Sequence, residues 1–250
     1  MFQKQSLRKK IEILSQKTMK SVLGITAVSM LMFTSCSSDE IADVKPALKP
    51  SSAFGAGQGT DRGYFWSLWQ SAGGTASITF PNANLPGNFT LSYSGVNNVV
   101  GGKGWATGST RNVNYNVGSL TGSYNFVGVY GWVTSPLIEY YVSEKGSIYV
   151  GGTTEQINTV SADGHTYTFY RHQQVNAASI QGTQTFWQYI DNWGGQTFNG
   201  NKKITMATHI NNWKQWGGKG WNANTVYNYQ VFGIEVYGTN VSGSMNATVW

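Results

Sequence analysis

Tyr229-Gln-Val-Phe-Gly-Ile-Glu-Val-Tyr237 has the alternating pattern of a β-strand with one apolar face. Successive side chains of a strand point to opposite faces, so Glu235 lies on the same face as the two tyrosines that end the stretch. The opposite face carries Phe232, Ile234 and Val236. The pattern therefore predicts a strand that packs on a core through one face and presents a glutamate among tyrosines on the other.

Pro136-Leu-Ile-Glu-Tyr-Tyr-Val142 repeats this arrangement. Glu139 shares a face with Leu137 and Tyr141, and the other face is apolar apart from a tyrosine hydroxyl. Two carboxyl groups ringed by tyrosines suit hydrolysis of a glycosidic bond, in which one group gives a proton while the other stabilises or attacks the anomeric carbon. The two strands therefore predict a paired-carboxylate active site.

A lone glutamate in a strand is often only a solvated outer-face residue or a guard against edge aggregation. Composition argues against that interpretation, because only 11% of the residues are charged against about 25% in an average domain. The carboxylates from residue 61 onward are Asp61, Glu139, Glu144, Glu155, Asp163, Asp191 and Glu235. Only Glu139 and Glu235 lie inside strand-like runs, which favours a specific task for this pair.

The formal net charge of +6 is concentrated at the N-terminus. Residues 1–35 hold six basic and one acidic side chain, whereas residues 36–250 hold eleven basic and ten acidic ones. A nearly neutral remainder offers no electrostatic footprint for a phosphate backbone, so no nucleic-acid partner is predicted.

The basic N-terminus is followed by an apolar stretch over residues 21–33 and then by Thr34-Ser35-Cys36, an order typical of a secretory signal. The apolar stretch is too short to span a bilayer. Cys36 is the only cysteine, which excludes an intrachain disulfide, and its setting resembles a bacterial lipobox. We therefore predict acylation of Cys36, although a free thiol in a signal region is the alternative, and Met19 is a second candidate start.

The sequence predicts three regions: a lipoprotein signal peptide (1–35), a flexible tether after the acylated cysteine (36–60) and one catalytic domain (61–250). The tether is rich in Ser, Ala, Pro and Gly and has no apolar period. Ser37-Ser-Asp-Glu40 resembles the acidic tag of lipoproteins on the outer face of the outer membrane. The expected location is the outer membrane, where the protein faces either the cell surface or the periplasm, with membrane contact only through the lipid.

Short aromatic and β-branched runs separated by Gly/Asn turns predict an all-β domain, a sandwich or jelly roll of antiparallel strands. The runs are Ser77–Phe80, Phe89–Tyr93, Arg111–Tyr115, Ser147–Val150 and His165–Tyr170. Met206, Ile210 and Trp213 have helical spacing, so one helix is predicted over Thr205–Trp216, ending at two glycines. All ten tryptophans lie between residues 66 and 250, an excess that favours a groove lined by aromatic rings for sugars.

Four motifs resemble the family 11 glycoside hydrolases, which are endo-1,4-β-xylanases. They are Tyr130-Gly-Trp132, Pro136–Val142, Gly102-Lys-Gly-Trp105, and Ser242-Gly with the closing Ala247-Thr-Val-Trp250. The resemblance runs from about residue 64 to residue 250. It implies a β-jelly roll of two curved antiparallel sheets with one α-helix, shaped like a partly closed right hand, whose cleft holds both glutamates.

The resemblance also implies roles for single residues. Glu139 corresponds to the nucleophile and Glu235 to the acid/base of a retaining double displacement. The residues that correspond to substrate-binding positions are Trp69, Asn98, Tyr130, Tyr141, Gln188 and Tyr229. Tyr237, on the face of Glu235, is added to the predicted substrate-binding residues, and Asn98 corresponds to the residue beside the acid/base.

The chain departs from the family near the cleft. The thumb loop, usually Pro-Ser-Ile-x-Gly, is here Ala178-Ser-Ile-Gln-Gly182, and an arginine that the family often has before the thumb aligns with Gln174. Val236 replaces the glycine that usually follows the acid/base. These changes affect substrate fit and rate more than reaction type.

The expected partner is xylan or a xylo-oligosaccharide, acted on by a monomer without cofactor. No metal site is predicted, since His165, His172 and His209 lack ligand-like spacing, and His209 is expected to be a buried hydrogen-bonding residue on the helix. Two alternatives stay open: a β-1,4-glucanase on the same scaffold, and a non-catalytic carbohydrate-binding jelly roll. The second alternative has no need for two glutamates.

Overall fold

A computed structural model describes residues 55–148 and 152–250 of the protein. These residues form twelve β-strands and one helix. In chain order the elements are β1 (Gly57–Asp61), β2 (Tyr64–Gln70), β3 (Thr75–Thr79), β4 (Asn88–Trp105), β5 (Asn112–Gly122), β6 (Phe126–Ser135), β7 (Leu137–Gly146), β8 (Glu155–Ala162), β9 (His165–Ser179), β10 (Gly182–Asn192), β11 (Lys202–Thr205), α1 (Met206–Trp216) and β12 (Val226–Val249). The predicted all-β jelly roll with a single helix is confirmed.

The two long strands β4 and β12 run through both layers of the jelly roll. Their first and second halves pair with different neighbours, so one layer has the order β3-β4-β12-β5-β11 and the other β1-β2-β4-β12-β6-β7-β10-β9-β8. The ladder between β4 and β12 shifts register between Tyr237 and Gly243, where the strands pass from one layer to the other. The expected two sheets are thus continuous through shared strands, and one pairing, β7 with β10, is parallel.

The core lies between the two layers and confirms the face assignments made from strand alternation. Ile138, Tyr140 and Val142 of β7 are fully buried in it, as are Phe232 and Ile234 of β12. Full burial of a side chain of this size contributes about 1.5–3 kcal/mol. The opposite face of these strands and of β6 carries a second buried cluster, which includes Tyr130, Trp132, Tyr141 and Tyr229.

Helix α1 begins one residue later than predicted, with Thr205 as its N-cap. The cap side chain bonds Asp163 instead of the helix: the Asp163 carboxylate accepts the backbone N–H of Thr205 at 2.6 Å and its hydroxyl at 2.8 Å. The helix buries Met206, His209, Ile210 and Trp213. His209 is fully buried and its Nδ1 lies 2.6 Å from Asp191, which confirms its structural assignment.

Two element boundaries differ from the sequence-based expectation. Strand β1 begins at Gly57, so residues 57–60 belong to the sheet and not to the tether; β1 pairs with β2 through backbone hydrogen bonds, which need no apolar pattern. Ser147 and Ile148 are not in a strand, and the rest of the predicted run Ser147–Val150 lies outside the described residues. Cys36 also lies outside them. Within the described part of the chain, no helix combines the length and hydropathy needed to cross a membrane.

Candidate active site

The second layer, on its face away from the core, bears a cleft of about 600 Å³ that both glutamates line. Eight of the nine residues predicted for catalysis and substrate binding line it: Trp69, Asn98, Tyr130, Glu139, Tyr141, Gln188, Tyr229 and Glu235. Tyr237 lines an adjoining cavity of about 240 Å³, which Asn98, Tyr141, Gln188 and Glu235 share. The structure therefore brings all nine together around one continuous depression.

Strand pairing explains why these side chains meet. Glu139 on β7 lies directly opposite Trp132 on β6 and Gln188 on β10, and Tyr141 lies opposite Tyr130. Directly paired residues of neighbouring strands point to the same face, so the five side chains form one patch. Glu235 belongs to β12, on the far side of β6 from β7.

Glu139 is buried and held by two neutral donors. The Tyr130 hydroxyl donates to Oε1 at 2.9 Å, and the Gln188 amide donates to Oε2 at 2.7 Å. The Trp132 indole N–H donates in turn to the Tyr130 hydroxyl at 2.7 Å, which orients that hydroxyl toward the carboxylate. Donors on both oxygens stabilise the ionised form of Glu139 and fix the direction of its lone pairs.

Tyr141 connects the two glutamates, because its hydroxyl is a hydrogen-bonding neighbour of both carboxyl groups. A single hydroxyl that hydrogen-bonds two carboxyl groups holds their facing oxygens within two hydrogen-bond lengths of each other, roughly 6 Å at most. A hydroxyl has one proton, so it can donate to only one carboxylate. It can bond the other carboxyl group only as an acceptor, which requires that group to be protonated. The geometry thus favours one ionised and one protonated glutamate.

Glu235 has a poorer set of partners than Glu139. Its Oε2 is buried and has no hydrogen-bond partner among the described residues, and the same holds for Oδ1 of Asn98. Asn98 on β4 pairs with Tyr237, and the partner of Glu235 lies two residues away on the same strand. The side chains of Asn98 and Glu235 therefore both face the cleft. A proton on Glu235 is favourable here, because it supplies a donor where two buried acceptors have none.

The pKa values of both glutamates are raised, and that of Glu235 is raised further. Burial raises the pKa of Glu139 from its ordinary 4.5 to about 7, against the opposing effect of the hydrogen bonds from Gln188, Tyr130 and Tyr141. Burial and the negative charge of Glu139 together raise the pKa of Glu235 to about 8. Glu139 therefore ionises first, and Glu235 keeps its proton beside it.

Aromatic rings line the walls of the cleft. Trp69 on β2 lies at one side and is 42% exposed, although a tryptophan is usually far more buried, so its ring face is available to a ligand. Tyr229 is buried deeper and stacks on Phe65 with ring centroids 5.3 Å apart. A flat exposed ring with polar groups beyond it is the surface that a pyranose ring binds.

The hairpin between β9 and β10, which corresponds to the thumb of the family, covers part of the cleft with Ala177, Ala178, Ser179 and Ile180. Its tip is closed by the Ser179 side chain, whose hydroxyl donates to the Gly182 carbonyl at 2.7 Å and accepts the Gln181 backbone N–H at 3.0 Å. Gly182 has φ +80°, a conformation that favours glycine. Side-chain bonds hold the tip although the usual proline is absent.

Several residues of the site were not predicted, among them Trp132, Phe186 and His172. Trp132 follows Tyr130 on the same face and could have been found by alternation, and Phe186, which packs against it at 4.9 Å, could have been found in the same way from Gln188. His172 lines the smaller cavity because it pairs with Gln188 across β9 and β10, a register that no local pattern reveals. Among the described residues, neither cavity is lined by lysine or arginine, and no group of three His, Cys, Asp or Glu side chains could hold a metal ion.

A jelly roll whose aromatic cleft holds two buried carboxyl groups of unequal proton affinity is the arrangement of a glycoside hydrolase. Residues 61–248 match the glycosyl hydrolases family 11, and the chain belongs to that family.

Curated relatives agree with this assignment. The chain is 42% identical to an ethylene-inducing xylanase of Penicillium digitatum and 41% identical to endo-1,4-beta-xylanase 2 of Rhizopus oryzae, each over 195 residues that cover 77% of this chain and 84% of the relative. It is 38% identical to endo-1,4-beta-xylanase 11A of Botryotinia fuckeliana over 199 residues, 76% of this chain and 81% of the relative.

Proposed function

We propose that the protein is a retaining endo-1,4-β-xylanase with Glu139 as nucleophile and Glu235 as acid/base. The observation that carries the proposal is the Tyr141 hydroxyl between two carboxyl groups, one held by two donors and the other without a donor on Oε2. Two carboxyl groups that share one hydroxyl lie within two hydrogen-bond lengths of each other, roughly 6 Å at most. This limit suits the 5–5.5 Å of retaining glycosidases and leaves too little room for the 6.5–9.5 Å that inverting enzymes need for a water.

In the first step the Glu139 carboxylate attacks the anomeric carbon of the bound sugar. The bond from that carbon to the glycosidic oxygen breaks, its electron pair stays on the oxygen, and Glu235 protonates that oxygen. A glycosyl ester on Glu139 results. The bonds from Tyr130 and Gln188 hold the attacking carboxylate in position, so little of its orientation is left to be fixed in the transition state.

In the second step Glu235, now ionised, takes a proton from a water whose oxygen attacks the same carbon. The ester bond breaks and Glu139 leaves as a carboxylate, so two inversions give net retention. Formation of the ester removes the negative charge of Glu139, and the pKa of Glu235 then falls toward its ordinary value. The same side chain can therefore act as acid in the first step and as base in the second.

The substrate assignment rests on the names of the relatives, which are xylanases, and on the aromatic cleft without basic residues, which suits a neutral polysaccharide. The test is release of reducing sugar from xylan compared with soluble cellulose, with Glu139→Gln as the inactive control. Preference for xylan supports the proposal. Equal or greater activity on cellulose would instead identify a β-1,4-glucanase, and binding of xylan without hydrolysis would identify a carbohydrate-binding domain.

Stereochemistry is tested separately by NMR of the first product formed from xylohexaose. The β-anomer should appear first and then mutarotate, because both displacements invert the same carbon. Early appearance of the α-anomer would overturn the double-displacement mechanism but not the substrate assignment.

We further propose that the protein is an exported lipoprotein acylated at Cys36, anchored in the outer membrane and facing outward. The support is the sequence alone: a basic segment, an apolar stretch and small residues before a single cysteine. Labelled fatty acid should enter the wild-type chain but not Cys36→Ala, and only the wild type should partition with membranes. Equal labelling of both forms would contradict acylation, and resistance to protease added to intact cells would contradict surface exposure.

A further inference from the structure

A second glutamine lies behind the glutamine that holds Glu139. Gln174, on β9, lines both the main cleft and the smaller cavity. Its side-chain Nε2 donates to Oε1 of Gln188 at 3.2 Å, and Nε2 of Gln188 donates to Oε2 of Glu139 at 2.7 Å. The two amides therefore form a directed chain of hydrogen bonds that ends on the carboxylate.

The direction of this chain matters because an amide has two different ends. Gln188 stabilises an ionised carboxylate only when its NH2 group faces Glu139, since its carbonyl oxygen in that place would bring two acceptors together. Gln188 is buried, so solvent does not compensate for a wrong orientation. A donor on the far side of Gln188 selects the productive orientation, and Gln174 is that donor.

We propose that Gln174 is a positioning residue, which fixes the amide of Gln188 so that its NH2 group faces Glu139. The proposal rests on the function proposed for Glu139, and it assigns a task to a position where the chain differs from the usual arginine of its family. A neutral amide performs this task without placing a positive charge beside the nucleophile.

Side chains from several strands face Glu139 directly or through a neighbour. They are Tyr130 and Trp132 on β6, Tyr141 on β7, Gln188 on β10, Tyr229 and Glu235 on β12, and, one strand further out, Gln174 and His172 on β9. Glu235 and His172 are titratable side chains in this set, and neither changes in the variants below. In the variants that add no charge, a shift in the ionisation of Glu139 can therefore be assigned to the amide chain.

The first test measures the ionisation of Glu139 directly, by NMR titration of its 13C-labelled carboxyl group in the purified full-length chain. Gln174→Met keeps the length of the side chain but removes its donor, so the pKa of Glu139 should rise by up to about one unit, and the acid limb of kcat/KM on an aryl xylobioside should move with it. Gln174→Glu turns the donor into an acceptor that attracts the NH2 group away from Glu139 and also adds a negative charge, so it should raise the pKa further. Gln173→Met, the same change on the opposite face of β9, should leave both readouts unchanged.

The second test asks whether Gln174 acts through Gln188. In a Gln188→Met background, Gln174→Met should produce no further shift, because there is no amide left to orient. A full-size shift in that background, or no shift of the Glu139 pKa in Gln174→Met and Gln174→Glu in the wild-type background, would overturn the proposal. The titration needs no substrate, so failure of the wild-type chain to cleave xylan would reject the proposed function and leave this result intact.

Discussion

Glu139 and Glu235 are the same residue type in similar burial, and their surroundings make them different acids. Tyr130 and Gln188 give Glu139 a donor on each carboxylate oxygen, whereas Oε2 of Glu235 has no partner among the described residues. Hydrogen bonds to the charged form lower a pKa, and a nearby like charge raises one. The difference between their proposed roles therefore follows from neighbours contributed by β6 and β10.

Replacing either glutamate with alanine should separate the two roles. Each change should lower kcat by roughly a thousandfold or more. In Glu139→Ala, azide can enter the vacated space and give a glycosyl azide of inverted configuration, because Glu235 still protonates the leaving oxygen. In Glu235→Ala, substrates with good leaving groups should still form the intermediate, and azide should give a product of retained configuration. Product NMR checks both outcomes, and ordinary activity of Glu139→Ala would refute the assignment.

Asn98 should control the pH dependence through Glu235. Activity needs Glu139 ionised and Glu235 protonated, so kcat/KM should rise near a pH of about 7, fall near about 8 and peak between them. Asn98→Asp places a second carboxyl group beside the proton of Glu235. The pH optimum should then move lower, because a different protonated form of these two carboxyl groups becomes productive. Asn98→Ser, which adds no charge, is the control. An unmoved profile in Asn98→Asp would mean that Asn98 does not contact Glu235.

Glu235 should reduce stability above its unfolded pKa. The unfolded chain loses this proton near 4.5, whereas the folded protein keeps it up to about 8, so the folded state binds more protons in that range and stability falls as pH rises through it. Glu235→Gln removes this dependence. Its melting temperature should exceed that of the wild type by an amount that grows from pH 5 to pH 8. A constant difference across this range would show that the ionisation of Glu235 is not the cause.

At the residue scale, local alternation was enough to find both glutamates and the face on which Tyr141 and Tyr229 lie. It could not find the bond between Gln188 and Glu139, which joins residues 49 positions apart across the parallel pair β7–β10. Their closeness depends on which strands become neighbours, and a strand pattern carries no information about its partner. Gln188 was predicted from the family resemblance alone.

At the scale of elements, the thumb hairpin shows how one loop replaces a lost constraint. Proline restricts the backbone, and the chain has Ala178 where the family usually has proline. The Ser179 hydroxyl instead bonds the backbone of Gln181 and Gly182 and closes the tip. Ile180, next to it, lines the cleft, so the order of the tip affects the space available to substrate.

Ser179→Ala should therefore loosen the thumb. We expect kcat/KM on xylan to fall several-fold, mainly through a higher KM, because the hairpin must be ordered when substrate binds. The melting temperature should change little, since the tip is exposed and adds few buried contacts. Ser179→Thr keeps the hydroxyl and should behave like the wild type. Equal kinetic parameters for Ser179→Ala and wild type would exclude the side-chain bonds as the source of order.

The sequence predicted secondary-structure elements well where a periodic apolar pattern and a stop signal agree. Helix α1 combines apolar residues at helical spacing with a glycine stop, and its predicted range differs by one residue from the observed one. Strand β1 was missed because Gly57–Asp61 has neither aromatic nor β-branched alternation and is held by backbone pairing to β2. Backbone hydrogen bonds leave no pattern in the side chains. For this reason the end of the predicted tether was not recognised as a strand, although it lies at the edge of the cleft.

At the scale of the whole molecule, charge is sparse. Eleven basic and ten acidic side chains from residue 36 onward nearly cancel, and no described lysine or arginine lines the cleft. The proposed substrate is neutral, so charges on the protein give it no long-range steering, and salt has little to screen.

The kcat/KM for a linear xylo-oligosaccharide should thus stay within about twofold between roughly 0.02 and 0.5 M NaCl. Measurement at constant pH with an uncharged substrate isolates this effect, and a xylan fraction rich in uronic acid is the comparison. A steep fall with salt for the uncharged substrate would contradict the expectation that charge does not steer its binding.

The passage of β12 through both layers also bears on the order of synthesis. This strand is made after the other eleven, yet it supplies ladder partners to β4, β5 and β6 and carries Glu235. Until residues 226–249 emerge, the two layers share only β4, the strands β5 and β6 lack their partner β12, and the two carboxyl groups cannot meet. The nascent chain therefore remains open for most of its synthesis and completes its many long-range contacts late, as non-local β-folds do. We propose that the chain is exported. Late completion of the fold would keep it unfolded and inactive while it crosses the membrane.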